Sequence, residues 1–347
     1  MQKESILGLP FEKLKQKFIE NGLTALDAKR VFPWIHRKLA KSFFEMTDMP
    51  KNTRENVLQN LFSLERPQCD VIQKSSDGTE KALLKFVDGE YVETVFIPDE
   101  KRNTVCVSSQ IGCPVGCKFC YTGTQNFSRN LTSSEIMAQL FFWKDRYPEK
   151  ITNIVFMGMG EPLLNTPALF DTLELLLSEK SHNFSRNKVT VSTAGVFTTE
   201  NVVDDLAKFG VKLAISLHAP NDKTRSAIMS INKKYDIATI MDASEKYLAL
   251  SNTSHVTFEY LLLDGVNDSR DDAKKLAKLL KRFDRLSCRV NLIVFNDWSN
   301  ANFKKTDHDN AHDFLKMLLG NGIRAIIRKS RGDDISAACG QLKSPEK

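Results

Sequence analysis

From about residue 104 the chain alternates short apolar runs rich in β-branched residues with longer amphipathic ones, and this rhythm constrains the fold more than any other feature. The run around Cys106 reads as a strand, as do ITNIVFM (151–157), KVTVS (188–192), VKLAISLH (211–218), HVTFEYLLL (255–263) and CRVNLIVF (288–295), with IRAIIR (323–328) as a last one. Helical patterns follow at 131–147, to about Leu177, at 201–209, to about Leu250, at 271–283 and at 309–319. Thr132 and Glu135 stand in capping-box spacing at the first of them. Six βα units predict an α/β fold, a parallel sheet with right-handed crossovers closed into a partial (β/α)6 TIM-like barrel. In such a barrel the chemistry gathers at the C-terminal ends of the strands.

The chain ahead of the barrel has a different grain. Residues 1–66 read as three helices forming a small accessory domain, with Val31, Phe32, Trp34, Ile35 and Leu39 at helical spacing in its core. Residues 67–100 read as a β-hairpin linker turning at Asp88-Gly89, and 101–347 as the catalytic barrel with a C-terminal cysteine segment. Glu93 falls in the middle of the hairpin's second strand, either on its solvent face or turned into a site.

The densest chemistry lies in CVSSQIGCPVGCKFC (106–120). Cys113, Cys117 and Cys120 form C-x3-C-x2-C, a spacing that lets three thiolates surround one face of a 4Fe-4S cluster and leaves one iron open for a ligand. A structural zinc site would need a fourth ligand, such as Cys106. Gly158-Met159-Gly160-Glu161-Pro162 ends one strand, where glycine allows close approach to the backbone. Ser192, Ser216, Leu217, His218 and Asn296 occupy the corresponding ends of later strands. Cys339 stands among small residues in RGDDISAACGQL, and Cys69 and Cys288 read as core or surface thiols. The other histidines show no ligand spacing.

With Phe119 and Gly123 flanking its last cysteine, the loop resembles that of the radical S-adenosylmethionine superfamily, and GMGEP resembles that superfamily's GGE-like motif. Together with AISLHAPND, LLLDGVND and RGDDISAACGQL, the chain resembles the adenosine-C2 RNA methyltransferases of this superfamily. The resemblance implies a 4Fe-4S cluster on Cys113, Cys117 and Cys120, and S-adenosylmethionine, two per turnover, bound by Gly160, Glu161, Ser192, Ser216, Leu217, His218 and Asn296. It further implies Cys339 as methyl carrier, Cys106 as its disulfide partner and Glu93 as proton acceptor, with Cys106 an alternative acceptor. The implied substrates are adenosine 2503 of 23S rRNA and adenosine 37 of certain tRNAs. A reducing electron donor such as flavodoxin and a thiol reductant for the Cys106-Cys339 disulfide follow as partners. The rival readings are a C8 methyltransferase of the same adenosine, from which Pro162 and AISLHAPND depart, and a non-catalytic iron-sulfur RNA-binding protein. Asp297-Trp298-Ser299-Asn300 replaces the family's proline-rich turn.

Charge and cysteine usage agree with that reading. The net charge of +6 permits a polyanionic partner, and Lys29, Arg30, Arg37, Lys38 and Lys41 with Arg324, Arg328, Lys329 and Arg331 are the candidate RNA-facing clusters. Seven cysteines, three of them clustered, suit a reducing compartment. No apolar run is long enough to span a bilayer and the N-terminus lacks a signal-peptide core, so a cytoplasmic location without membrane contact is expected. Nothing in the chain demands a dimer, and a monomer is expected.

Overall fold

The computed structural model describes residues 3–148, 150–197, 199, 201–298 and 301–344. Its N-terminal helices are α1 (Phe11–Glu20) and α2 (Ala25–His36), the second opened by a capping box between Thr24 and Asp27. Their buried stripes meet through Leu14 and Phe18 of α1 and Ala28, Val31, Phe32 and Ile35 of α2. Trp34, expected in this core, falls off that stripe and is half-buried. Its Nε1 donates to Asp48 at 2.6 Å, and Lys38 Nζ lies 3.3 Å above its ring. The third helical stretch includes a π-helical segment at Thr53–Leu58.

One ten-stranded sheet organises the rest, with its strands adjacent in chain order. β1 (Gln68–Lys74), β2 (Glu80–Lys85), β3 (Tyr91–Asp99) and β4 (Arg102–Cys106) form an antiparallel meander. Parallel to β4 follow β5 (Asn153–Phe156), β6 (Val189–Thr193), β7 (Lys212–Ser216), β8 (Val256–Leu262), β9 (Cys288–Val294) and β10 (Ala325–Ile327). The segment expected as a hairpin linker therefore supplies three strands to the barrel's own sheet. The Asp88-Gly89 turn, with Gly89 at φ 84°, sets Lys85 opposite Tyr91 and Leu83 opposite Glu93.

Helices α3 (Ser133–Arg146), α4 (Thr166–Leu177), α5 (Val202–Phe209), α6 (Asp222–Ile228), α7 (Ile237–Leu250), α8 (Arg270–Leu280) and α9 (His308–Gly320) fill the crossovers. The expected capping box of Thr132 and Glu135 opens α3. Period-2 alternation decides which strand face the helices cover. Val105, Ile154, Val191, Ile215, Phe258, Val290 and Leu292 point outward and are fully or almost fully buried. Each such side chain contributes about 1.5–3 kcal/mol on burial. The intervening residues, Thr104, Thr190, Lys212, Thr257, Glu259, Arg289 and Asn291, face a shared interior cavity. Val155, Ala214 and Ile293 face it too, so the sheet curves round a cavity of mixed lining that carries charged groups. Among the described residues no helix is long and apolar enough to cross a membrane.

Candidate active site

The C-terminal ends of the parallel strands enclose a cavity of about 160 Å³, with Cys113, Cys117 and Cys120 on one wall and Gly160, Glu161, Ser192, Ser216 and His218 on another. The cysteine loop is held from several sides. Lys118 N–H donates to the Ile228 carbonyl at 3.0 Å, Cys117 bridges to Met229, and Tyr121 N–H donates to the Gly340 carbonyl at 2.7 Å. Gly123 lies so close to the loop that a Cβ there would stand 2.6 Å from the Cys117 oxygen.

Burial pushes the Cys113 thiol up to about 12 and raises Cys117 and Cys120 as well, so a metal bound here would have to displace their protons. Backbone N–H groups of Val115, Gly116, Thr122 and Gly123 are directed at the Cys113 and Cys120 sulfurs and would stabilise thiolates. Among the described residues no group of three or more ligands closes on a single ion. Cys106, the candidate fourth zinc ligand, does not line this cavity.

Glu161 is buried, and its two oxygens accept from Ala194 N–H at 2.7 Å and Leu163 N–H at 3.0 Å. Burial raises its carboxyl to about 7 despite those bonds. His218 adopts φ 56°, accepts at Nδ1 from Leu261 N–H at 3.0 Å and meets the Phe119 ring edge-on at 4.9 Å. Burial, then the charge of Arg225, lowers it to about 3, so it remains neutral with Nε2–H as donor. Gly160, at φ 100°, has Gln110 Cβ 2.6 Å from where its own Cβ would stand. Leu217 turns its side chain into the core, leaving only its backbone at this level. Asn296 lies outside this cavity: its Nδ2 donates to the Cys339 carbonyl at 3.2 Å and its Oδ1 accepts from Ser330 Oγ at 2.6 Å.

A second cavity, of about 420 Å³, runs down the barrel interior from Cys106, Asn296 and Cys339 to the strand starts, where Arg102, Lys212, His255 and Arg289 line it. Cys339 borders both cavities, as do Met157, Glu259, Ile293 and Arg328. Arg328 Nη1 lies 3.4 Å from Glu259 Oε2, and the Cys339 sulfur, the largest influence, raises the guanidinium further. Cys106 is buried and pushed up to about 12, by burial first and then by Cys339. All seven cysteines are free thiols.

Glu93 is turned inward yet lines neither cavity. Its Oε1 pairs with Lys81 Nζ at 2.9 Å and its Oε2 accepts from Lys343 N–H at 2.8 Å, while Lys81 also donates to the Ser336 carbonyl at 3.0 Å. The pair therefore fastens both sides of the Cys339 segment. The loop that departs from the proline-rich pattern adds a cover: Trp298 stacks on Tyr121 at 4.9 Å and 4°, and its Nε1 donates to the Phe119 carbonyl at 3.0 Å. Ser299 and Asn300 lie outside the described residues.

Several of the predicted basic residues are occupied within the fold. Arg37 donates to the Glu179 carbonyl, Lys41 pairs with Asp145 at 3.2 Å, and Arg331 lies 4.0 Å from Asp77 and 3.7 Å from Asp99. Cys69 lies in β1, half-buried, and Cys288 is buried in β9. His36 and His182, distant in sequence, meet at 3.3 Å where α2 packs on the barrel, and His308 and His312 have ring centroids 4.3 Å apart on α9. Sequence reading passed over Lys81, Arg225, Lys212 and Arg289. The hairpin register set by Asp88-Gly89 would have placed Lys81 diagonal to Glu93; the others carry no local signal.

The family model of the radical SAM superfamily matches residues 107–280, and the curved sheet and three-thiol loop define a radical SAM enzyme. A second model, the ribosomal RNA large subunit methyltransferase N-terminal domain, matches residues 5–63. The chain is 42% identical to the dual-specificity RNA methyltransferase RlmN of Francisella tularensis subsp. novicida over 98% of its own length and 92% of the relative's, and equally so to that of subsp. holarctica strain LVS. A crystal structure of a radical SAM methyltransferase from Sphaerobacter thermophilus superposes with a TM-score of 0.89 at 40% identity, covering 98% of this chain and 99% of that one. The chain belongs to the RlmN family of radical SAM RNA methyltransferases, a superfamily that uses a 4Fe-4S cluster and S-adenosylmethionine.

Proposed function

We propose that the protein methylates C2 of adenosine, at position 2503 of 23S rRNA and position 37 of certain tRNAs, through an S-methyl group carried on Cys339. Cys113, Cys117 and Cys120 hold the cluster. Gly160, Glu161, Ser192, Ser216, His218 and the Leu217 backbone surround S-adenosylmethionine, while Asn296 steadies the Cys339 segment from below. The bound cluster and S-adenosylmethionine supply a 5'-deoxyadenosyl radical.

Cys339 first takes a methyl group by displacement from one S-adenosylmethionine, forming its S–CH3 bond as the sulfonium carbon–sulfur bond breaks. A second S-adenosylmethionine is consumed in activating that methyl group for addition to C2. The adduct gives up one electron, the equivalent of the one the reductant supplied, together with its C2 proton; Cys106 then attacks the Cys339 sulfur, the bond from that sulfur to the transferred carbon breaks, the carbon takes up a proton and leaves with the RNA as its methyl group, and a Cys106-Cys339 disulfide remains. The C2 proton goes to Cys106 or to Glu93: Cys106 lines the interior cavity but burial holds it as a thiol, while Glu93 is bound to Lys81 and the Lys343 amide and lines neither cavity. Arg328 steadies thiolate charge on Cys106.

The observation that carries this reading is that Cys339 borders both the thiol-lined cavity and the cationic one. RNA approaches by the strand starts, where Lys212 and Arg289 pair with no carboxylate among the described residues and can meet phosphates. The target base leaves its stack to enter. Lys29 and Arg30 on the N-terminal domain are further candidate phosphate contacts. An external donor such as flavodoxin provides electrons, a thiol system reopens the disulfide, and the protein acts as a cytoplasmic monomer.

The test is mass spectrometry of a 23S rRNA fragment and a tRNA after anaerobic incubation with reconstituted protein, S-adenosylmethionine and reductant. 2-Methyladenosine is expected in both. 8-Methyladenosine would overturn the C2 assignment, and absence of any methylation with the cluster intact would overturn the enzymatic reading.

A further inference from the structure

Arg225 is fully buried, and a guanidinium cannot shed its charge when it is taken out of water. Burying an ion costs several kcal/mol unless its surroundings compensate. Arg225 forms no ion pair with a carboxylate among the described residues. It is instead caged by oxygens: Nε donates to the Leu217 carbonyl at 3.1 Å, Nη1 to Asn232 Oδ1 at 2.9 Å and the Tyr235 carbonyl at 3.3 Å, and Nη2 to the Ala194 carbonyl at 2.6 Å and the Ser216 carbonyl at 3.1 Å. Every N–H is used, so hydrogen bonding is complete while the positive charge is left without a directly paired counter-ion.

The cage lies directly behind the cysteine loop. α6, which carries Arg225, runs on into Ile228, whose carbonyl accepts from Lys118 N–H at 3.0 Å, into Met229, which bridges to Cys117, and into Ser230, whose Oγ donates to the Val115 carbonyl at 3.3 Å. Three thiolates on a 4Fe-4S cluster make a net negative group that becomes more negative on reduction. A fixed cation buried in the wall behind that loop favours the reduced form.

We propose that Arg225 is the built-in counter-charge of the cluster, a positioning residue that raises its reduction potential while its oxygen cage ties the ends of β6 and β7 to the loop. The carbonyls of Ala194, Ser216 and Leu217 come from two cofactor-lining strand ends, so the same side chain that sets the charge also fixes those ends relative to Cys117. This rests on the cluster assignment made above.

The experiment compares R225K, which keeps the charge, with R225Q, which removes it; both lose most of the cage. Each is reconstituted anaerobically and its cluster midpoint potential read by spectroscopic redox titration, with the melting temperature of the cluster-free protein as a control. R225Q is expected to lower the reduction equilibrium at least tenfold, about 59 mV for one electron, and R225K to shift it by much less, although both melt earlier than the parent. Equal potentials in R225Q and the parent, or equal shifts in the two variants, overturn the proposal. If R225Q cannot retain the cluster, retention by R225K at a matching cluster-free melting temperature supports the charge role, and loss from both overturns it. Failure of the unsubstituted protein to assemble a cluster would instead refute the cluster assignment itself.

Discussion

The two ends of the barrel interior are built from the same strands and do opposite things with charge. At the C-terminal end, three thiols, a carboxyl raised to about 7 and a neutral histidine share a small space in which burial resists their ionisation. At the N-terminal end, Arg102, Lys212, His255 and Arg289 face a larger cavity, and burial with their mutual repulsion lowers Lys212 and His255. Low dielectric is useful where electrons and radicals are handled, and standing positive charge where a polyanion must be drawn in. Cys339 stands between them on a segment that belongs to neither strand set, fastened by Lys81 and Glu93 on one side and by Asn296 on the other.

The comparison breaks most completely at the upper end. Cys117→Ala should abolish cluster assembly, read as loss of iron and of visible absorbance, and with it all S-adenosylmethionine cleavage, while RNA binding at the lower end persists. Next in size is the fastening of the Cys339 segment. Lys81→Met leaves Glu93 buried without its cation and should destabilise the protein by about 3–5 kcal/mol, measured by denaturant unfolding. K81M/E93L should recover much of that stability without recovering full methylation, since the segment remains loose.

How far these features could be read in advance follows from where their causes lie. The parallel barrel was legible because its outward residues, such as Val191, Ile215 and Phe258, are apolar at period two within short runs, and because helices intervene. The cysteine loop was legible because its three thiols are close in sequence. β1 was missed since QCDVIQK has mostly exposed side chains and no apolar alternation, its place being set by pairing with β2. Arg225 reads as a surface residue of a short charged helix; its burial depends on carbonyls from β6, β7 and the loop before α7 converging in space. Asn296 was recognised as a strand-end residue, yet its partners, Ser330 and Cys339, come from the far end of the chain.

At the lower end, Lys212→Ala with Arg289→Ala should weaken RNA binding and flatten its salt dependence, by a slope of about 0.7 for each single-strand phosphate that is no longer neutralised, with cluster content unchanged. An undiminished salt slope would remove this mouth from the RNA path. The smallest effect concerns Glu161. Its folded carboxyl is raised above the unfolded value, so its contribution to stability is complete below about 4.5 and is lost as pH rises through about 7. The cluster-free protein should therefore melt at progressively lower temperature across that window, and E161Q should flatten this part of the profile. An amino group of S-adenosylmethionine donating to Glu161 would favour the carboxylate, so S-adenosylmethionine binding should strengthen over the same rise in pH.

The most direct test of the division between the two cavities is Cys339→Ala, reconstituted with its cluster and assayed by mass spectrometry of the RNA. The cluster and reductive cleavage of S-adenosylmethionine should survive, because Cys113, Cys117, Cys120 and Glu161 are untouched, while 2-methyladenosine is absent. Methylated RNA from this variant would contradict the account, since the methyl group would then reach adenosine without passing through the residue that joins the two spaces.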